Sequence, residues 1–472
     1  MVKKTKIVAT MGPAIESKEI LREAILNGLN VLRINFSHAQ HAEVLKNIAY
    51  LNELNKELAT YTAWLCDTKG PEIRVNKLRD TRVYLEKDNY LDIYMHEIIG
   101  DAKAISMSYS RLNECVTKGS KILIDDGLIE LEVINVYDDR IQTKIMNSGY
   151  LLENKGINVP NAILRMDFLS QKDINDIKFA CQNGASYIAA SFTRRKEDIA
   201  QIRKLCLQNN RNDMQIIAKI ENQEGIDNLD SILAEADGIM IARGDLGTEI
   251  PMEDVPLVQM KICEKCNNIG KPVIVATHML DSMEKHPRPT RAEVGDVARA
   301  VIDGVDAVML SGETAKGEYP IQALTFMSKI VSRSEETIDH NKILKKFIDG
   351  VSNNPYDGIG ISAVELAAKI DAKAIFCFTE SGATAHQISK YRPTCPIYAL
   401  SQYDSALYSL ALYWGVIGIK KGVYQSIESK YEIVNMEAKN IGLNKGDFVI
   451  VTGGHPDGTP ITNFLKIHAV EY

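Results

Sequence analysis

Ile216-Ile217-Ala218-Lys219-Ile220-Glu221 and, just downstream, Gly238-Ile239-Met240-Ile241-Ala242-Arg243-Gly244-Asp245 are two apolar runs of strand length, each closing on alternating charged residues. Side chains two apart on a strand share a face, so Lys219 is expected beside Glu221, and Arg243 beside Asp245. Two carboxylates and two cations at neighbouring strand ends suit a divalent metal and an anionic substrate. Carboxylate oxygens are the hard ligands that magnesium prefers, and water and phosphate usually complete its shell.

The same pattern recurs outward from this pair. Eight apolar, β-branched-rich segments occupy residues 7–10, 31–36, 63–67, 187–192, 216–221, 238–245, 272–279 and 307–313. Most are unbroken runs, the mark of parallel strands buried on both faces. Helical stretches at 18–26, 41–58, 172–181, 196–207, 229–235, 258–268 and 291–302 lie between most of them. Eight β-α units predict an α/β fold built on a closed (β/α)8 TIM barrel. In such a barrel the chemistry sits at the C-terminal strand ends. Here those ends carry Arg33, Asn35 and Ser37, then Asp67 and Thr68, Ser191, Lys219 and Glu221, Arg243 and Asp245, Thr277, and Ser311 and Glu313, whereas the opposite ends are expected to lack such a set.

More than a hundred residues separate the third strand from the fourth, which points to an insertion. Alternation in Arg82-Val83-Tyr84-Leu85, Ile122-Leu123-Ile124 and Leu128-Ile129-Glu130-Leu131-Glu132-Val133, with Asp125-Asp126-Gly127 as a turn, predicts a small β domain placed to close over the barrel mouth as a lid. From about residue 338 a third, α/β region follows. The expected domains are therefore 1–74 with 159–337 (barrel), 75–158 (inserted β lid) and 338–472 (C-terminal). Within the last, a strand at 374–378, the turn Thr379-Glu380-Ser381-Gly382-Ala383-Thr384 and a helix form a possible anion cradle. The same residue types also serve as ordinary helix caps.

Composition narrows the classes further. With 472 residues the chain implies several domains, and a formal net charge of −7 argues against nonspecific nucleic-acid binding. No apolar run approaches the ~18–20 residues of a membrane span. The basic start Met1-Val2-Lys3-Lys4-Thr5-Lys6 is followed by only a few apolar residues before Gly12-Pro13, unlike a signal peptide, so a cytoplasmic location is expected. Of the eight cysteines, only Cys263 and Cys266 have CxxC spacing; with no second pair nearby they read as core residues of a helix.

Asn35-Phe36-Ser37-His38, Asp67-Thr68-Lys69-Gly70-Pro71-Glu72-Ile73-Arg74, Ile217 to Asn222, Ala242 to Gly247, Arg288-Pro289-Thr290-Arg291-Ala292-Glu293 and Met309 to Thr314 together resemble the ordered motifs of the pyruvate kinases. The resemblance covers nearly the whole chain. It implies phosphoryl transfer from phosphoenolpyruvate to ADP, giving pyruvate and ATP, the last step of glycolysis. It implies Mg2+ (or Mn2+) on Glu221 and Asp245, Lys219 and Arg33 on the phosphoryl group, and Gly244 at the substrate carboxylate. Thr277 would border the carbon that gains a proton, with Ser311 and Glu313 extending the proton path. Asn35, Ser37, Asp67 and Thr68 would hold K+, and Glu72 marks the potassium-dependent type. Asn35, His38, Arg74 and Lys155 would meet the nucleotide, with Asp126 a further contact. Thr379, Ser381, Gly382 and Thr384 would cradle an effector phosphate, a sugar phosphate or nucleotide. A homotetramer, and an end at Tyr472 without the extra C-terminal domain of some bacterial relatives, are also implied.

This chain departs from the family pattern at three places. His278 replaces a usual glutamine, Ala39 replaces a common glycine, and Gly454-His455-Pro456 lacks the tryptophan and arginine of fructose-bisphosphate-regulated members. With Glu380 beside the cradle, weak or absent fructose-bisphosphate activation is expected. Plainer roles remain open for several residues: Lys219 as a buried ion-pair partner, Asn35 and Ser37 as caps, His38 as packing, and Arg243 as a support for a carboxylate. The alternatives to a kinase are a metal-dependent barrel lyase or aldolase acting through a pyruvate enolate, and a decayed metabolite sensor.

Overall fold

A computed structural model describes residues 2–350, 355–422, 426–454 and 462–472. Strands β1 (Lys6–Thr10), β2 (Val31–Asn35) and β3 (Ala63–Asp67) open the chain. An inserted region follows, with β4 (Ile73–Arg74), β5 (Arg82–Leu85), β6 (Tyr90–Tyr94), β7 (Ala104–Ser106), β8 (Lys121–Ile124), β9 (Ile129–Val136), β10 (Arg140–Ile145), β11 (Gly149–Leu152) and β12 (Gly156–Asn158). Then come β13 (Tyr187–Ala190), β14 (Gln215–Ile220), β15 (Gly238–Ala242), β16 (Val273–Ala276) and β17 (Ala307–Leu310). The first three and last five of these close a parallel barrel in the order β1-β17-β16-β15-β14-β13-β3-β2. The eight-stranded barrel expected from the sequence is therefore present. Its unbroken apolar strands follow from burial on both faces. Ile216, Ala218 and Ile220 pack outward under the helices, while Ile217, Met240 and Ile274 fill the lumen.

The insertion has its own core, including Leu91, Ile93, Leu131, Val133 and Ile141. Seven of its strands form one sheet, β4-β12-β8-β9-β10-β6-β7, and β5 pairs with β11. Its end strands meet: Val75 bridges Met107, Asn76 N donates to Ser106 O (3.0 Å) and Ser108 N to Arg74 O (2.8 Å). The sheet thus closes on itself as a small barrel. Asp125, Asp126 and Gly127 all have positive φ and turn the chain from β8 into β9. On the return path Arg194 Nη1 and Nη2 donate to Leu164 O (2.7 Å) and Met166 O (3.0 Å).

The C-terminal sheet joins β18 (Ile375–Phe378), β19 (Ile397–Ser401), β20 (Val416–Lys420), β21 (Phe448–Gly453) and β22 (Phe464–Ala469) in the order β20-β19-β18-β21-β22, with only β22 antiparallel. Ala411 and Leu412 from this region plug the base of the barrel lumen, and Tyr187 Oη donates to Ser409 O (2.7 Å). His455 and Pro456 lie outside the described residues.

Two sequence expectations need correcting. The run 238–245 is not one strand: β15 stops at Ala242 and a helix, Arg243–Glu249, begins at once. The runs 272–279 and 307–313 likewise shorten to β16 and β17, with Thr277 and His278 both at positive φ. The residues beyond each strand are mostly polar or glycine, and there the chain leaves the ladder, for a helix after Ala242 and Ser311 and for a left-handed pair after Ala276. Nor is the opposite end of the barrel free of charge. Lys4, Lys6, Asp237, Lys271 and Asp306 all lie there, and the C-terminal region docks on Lys4, Lys6 and Asp306. Lys6 Nζ donates to Val416 O (2.5 Å), and Arg392 pairs with Asp306 at 2.7 Å.

Candidate active site

Lys219, the fifth residue of β14, is at the centre of the barrel mouth. Its Nζ lies 2.8 Å from Ser191 Oγ, 3.2 Å from Asp67 Oδ1 and 2.9 Å from Glu221 Oε1. Burial opposes its charge, but Asp67 and Glu221 outweigh that and raise its pKa. Asp67, at the end of β3, also meets Arg33 Nε (2.6 Å) and accepts from Ser191 Oγ (3.0 Å). Despite burial, Lys219 and Arg33 hold its carboxyl below the usual range. Arg33 Nη1 donates to Thr10 Oγ1 (2.9 Å), leaving other guanidinium N–H groups for a ligand.

Glu221, fully buried just past β14, accepts from Phe192 N through Oε2 (2.6 Å). Its Oε1 touches Lys219 but receives no well-directed hydrogen bond. Burial, with help from Asp245, pushes Glu221 up to about 7; Lys219 opposes the shift. Asp245, in the first turn of the helix after β15, is raised for the same reason, burial, with Asp126 and Glu72 adding to it. Two neighbouring buried carboxylates that cannot comfortably both ionise have the chemistry to hold a divalent cation between them. Among the described residues no group of three or more His, Cys, Asp or Glu is placed to hold a metal by itself. A metal here would take two protein carboxylates and fill its shell from substrate and water.

Arg243 does not join this cluster. The helix start turns it away from Asp245, and its two terminal nitrogens clasp Asp296 at 2.6 and 2.7 Å. It also donates to Thr277 O (2.8 Å) and His278 O (3.3 Å), bracing the left-handed pair that follows β16. The expectation of two cations beside Glu221 and Asp245 is corrected to one, Lys219. The sequence could not supply Asp296, which is far along the chain. Gly244 N donates to Thr277 Oγ1 (2.7 Å), so Gly244 and Thr277 are brought together. Ser311 Oγ is buried without a partner, while both Glu313 oxygens are engaged, by Leu280 N (3.1 Å) and Ser311 N (2.7 Å). Burial raises the Glu313 pKa.

Asn35 and Asp67 are direct partners in the β2–β3 register, and Asn35 Oδ1 accepts from Ser37 N (3.0 Å). Thr68 Oγ1 donates to Ala189 O (3.2 Å) and accepts from Ser191 N (3.1 Å). The side-chain ligand atoms these four offer are oxygens, an oxygen-only group with one carboxylate, Asp67, whose oxygens already meet Arg33, Lys219 and Ser191. A cleft of about 630 Å³ between the inserted sheet and the barrel is lined by Glu72, Arg74, Asp126, Lys155, Phe192 and Asp245, among others. Arg74 pairs with Glu72 through Nε at 2.8 Å, and Lys155 with Asp125 at 2.8 Å. His38 is not part of that lining. The Thr379–Thr384 turn is engaged both within itself and by the segment before β22. Thr379 Oγ1 accepts from Gly382 N (2.9 Å), and Thr384 Oγ1 meets Thr462 Oγ1 at 2.8 Å. Cys263 and Cys266 are buried core thiols whose pKa values burial raises.

The family model described as pyruvate kinase, barrel domain, matches residues 2–324, and that described as pyruvate kinase, alpha/beta domain, matches residues 357–468. The chain belongs to the pyruvate kinase family. It is similar to the pyruvate kinase of Bacillus licheniformis, with 46% identity over 99% of this chain and 81% of that protein. It is 42% identical to the pyruvate kinase of Clostridium acetobutylicum, with both chains covered completely, and 44% identical to that of Geobacillus stearothermophilus over 100% of this chain and 81% of the other. The chain is therefore a phosphotransferase whose reaction converts phosphoenolpyruvate to pyruvate. Neither a barrel lyase or aldolase nor a decayed sensor finds support in these matches. No helix of the described residues is long and apolar enough to cross a membrane.

Proposed function

We propose that the barrel mouth passes the phosphoryl group of phosphoenolpyruvate to ADP, with Lys219 meeting its charge in transit. The observation that carries this is the buried group Lys219–Asp67–Glu221, in which one Glu221 oxygen is left without a directed hydrogen bond beside Asp245. Phosphoryl transfer depends on positioning and charge neutralisation far more than on covalent steps. Glu221 and Asp245 would hold Mg2+ or Mn2+, which supplies Lewis-acid stabilisation of substrate oxygens. Arg33, braced by Asp67 and Thr10, grips the phosphate with its remaining N–H groups. The Gly244 amide would exchange its bond to Thr277 Oγ1 for the substrate carboxylate. Thr277 borders the carbon that is protonated, and Ser311 Oγ has a free acceptor and donor for water on that path. Glu313 supports the path by fixing Ser311 N.

Asn35, Ser37, Asp67 and Thr68 would hold K+, which their oxygen-only chemistry suits. Arg74, Lys155 and Asp126 would reach the nucleotide from the cleft wall; Asn35, the last residue of β2, and His38, in the loop after it, lie outside that lining and would meet a nucleotide that extends past it. The inserted barrel acts as the lid. The proposal extends to a cytoplasmic homotetramer, and to binding of an effector phosphate, from a sugar phosphate or nucleotide, by Thr379, Ser381, Gly382 and Thr384. The decisive experiment is an assay of pyruvate formation with K+ and Mg2+ controlled separately. ADP-dependent pyruvate formation that needs both cations is expected. Pyruvate formed equally without ADP would overturn the proposal.

A further inference from the structure

The helix Gln171–Gln182 follows the return from the inserted barrel, and its first two turns reach both loops of the oxygen-only group. Lys172 Nζ donates to Phe36 O (2.6 Å), the carbonyl between Asn35 and Ser37, and is held there by Asp176 Oδ2 (2.6 Å). Asp173 is completely buried. Its Oδ2 accepts from Ser170 N (3.0 Å) and Ser170 Oγ (2.5 Å), as a helix cap requires. Its Oδ1 does something a cap does not need: it accepts from Lys69 N (3.0 Å) and Gly70 N (3.2 Å), the turn directly after Asp67 and Thr68.

That turn has little freedom of its own. Gly70 sits at φ 71°, and a Cβ there would lie 2.8 Å from Ser191 O and 2.9 Å from Ser191 Cβ. Ser191 in turn bonds Asp67 and Lys219. A displaced Lys69–Gly70 turn would therefore disturb both the cation group and the lysine at the centre of the mouth. Burying a carboxylate is costly unless it is fully hydrogen-bonded. Here Ser170 alone already offers the helix a capping hydroxyl, so the second oxygen is accounted for by the loop.

We infer that Lys172 and Asp173 are positioning residues for monovalent-cation binding: one helix staples the β2 and β3 loops at the spacing the ion requires. This rests on the K+ reading proposed above. The test compares wild type with Lys172→Met, Asp173→Asn and Ser170→Ala. Ser170→Ala removes the capping hydroxyl but leaves Asp173 Oδ1 in place. Two readouts are taken at constant ionic strength, with tetramethylammonium chloride replacing KCl. One is the half-saturating K+ concentration for turnover. The other is the KCl-dependent rise in thermal unfolding midpoint without substrates, which does not depend on catalysis.

For Lys172→Met and Asp173→Asn the half-saturating K+ should rise about tenfold or more, the scale of losing a hydrogen bond to a charged group. Turnover at saturating K+ should stay within about threefold of wild type, since the ion restores the loop geometry it binds. Ser170→Ala should leave K+ affinity unchanged even if it lowers the midpoint. A wild type with no response to K+ in either readout overturns the cation reading and this inference with it. A K+-responsive wild type matched by Lys172→Met and Asp173→Asn overturns the inference alone. An equal K+ shift in Ser170→Ala also overturns it, because the effect would then be helix stability.

Discussion

Both ends of the barrel bury charge, but they do so differently. At the base, buried cations meet carbonyls or one opposite charge: Lys4 Nζ donates to Thr394 O, Lys6 to Val416 O, and Arg392 to Asp306, Gly304 O and Asn267. Glu335 accepts from the backbone N–H groups of Lys4 and Thr5. At the mouth, Asp67, Glu221 and Asp245 crowd around Lys219 and Arg33, and Glu221 Oε1 and Ser311 Oγ lack hydrogen-bond partners. Buried charge by itself therefore does not mark a functional site. What sets the mouth apart is a pair of adjoining buried carboxylates, Glu221 and Asp245, whose pKa values burial raises.

The contrast can be broken from either end. Arg392→Met leaves Asp306 buried without its cation and should destabilise the fold by about 3–5 kcal/mol. Denaturant unfolding measures this, while turnover per folded molecule should stay normal. Equal loss of turnover per folded molecule would make the base part of the site. Lys219→Met should lower turnover by roughly 10²–10³-fold, as for one preorganised charge donor, with phosphoenolpyruvate binding nearly intact. Near-normal turnover would remove Lys219 from the mechanism.

Lys6 provides a pH test at the base. Burial depresses its pKa from 10.5 to about 8, although Glu335 and Asp306 oppose the shift. Between pH 8 and 10.5 the unfolded chain keeps a proton that the native state releases, so native stability rises with pH across that window and gains nothing from Lys6 below it. The rise should reach about 3 kcal/mol and be absent in Lys6→Met. Unfolding free energies of both proteins at pH 8 and 10.5 check it; identical slopes would mean Lys6 stays charged. The smallest effect is expected for Glu72→Lys, which places an ammonium next to Arg74 in the cleft. Activity without K+ should rise by roughly tenfold, about 1.4 kcal/mol, and unchanged K+ dependence would count against Glu72 as a determinant.

The barrel was legible because its strands are apolar on both faces and several helices carry local start signals. Residues 18–26, 41–58, 229–235 and 291–302 are helical just as their periodicity indicates, with Ser17 and Thr290 as caps. The residues at the mouth were nameable because each ends a recognisable apolar run. What the sequence concealed depends on contacts across the fold. The turn of Arg243 toward Asp296 follows from a helix that begins at Arg243, where the expected strand ran on to Asp245. The charged base follows from docking of a region that local pattern cannot place. Asp173 looks like any capping residue until its second oxygen is seen on a distant turn.

The link between Lys6 and Val416 spans 410 residues. On the ribosome, at roughly 5–20 residues per second, the first barrel strand waits tens of seconds for the carbonyl that receives its ammonium group. Through that interval the nascent barrel must keep a buried-charge surface hydrated at its base. Its final tightening belongs to the end of synthesis rather than the beginning.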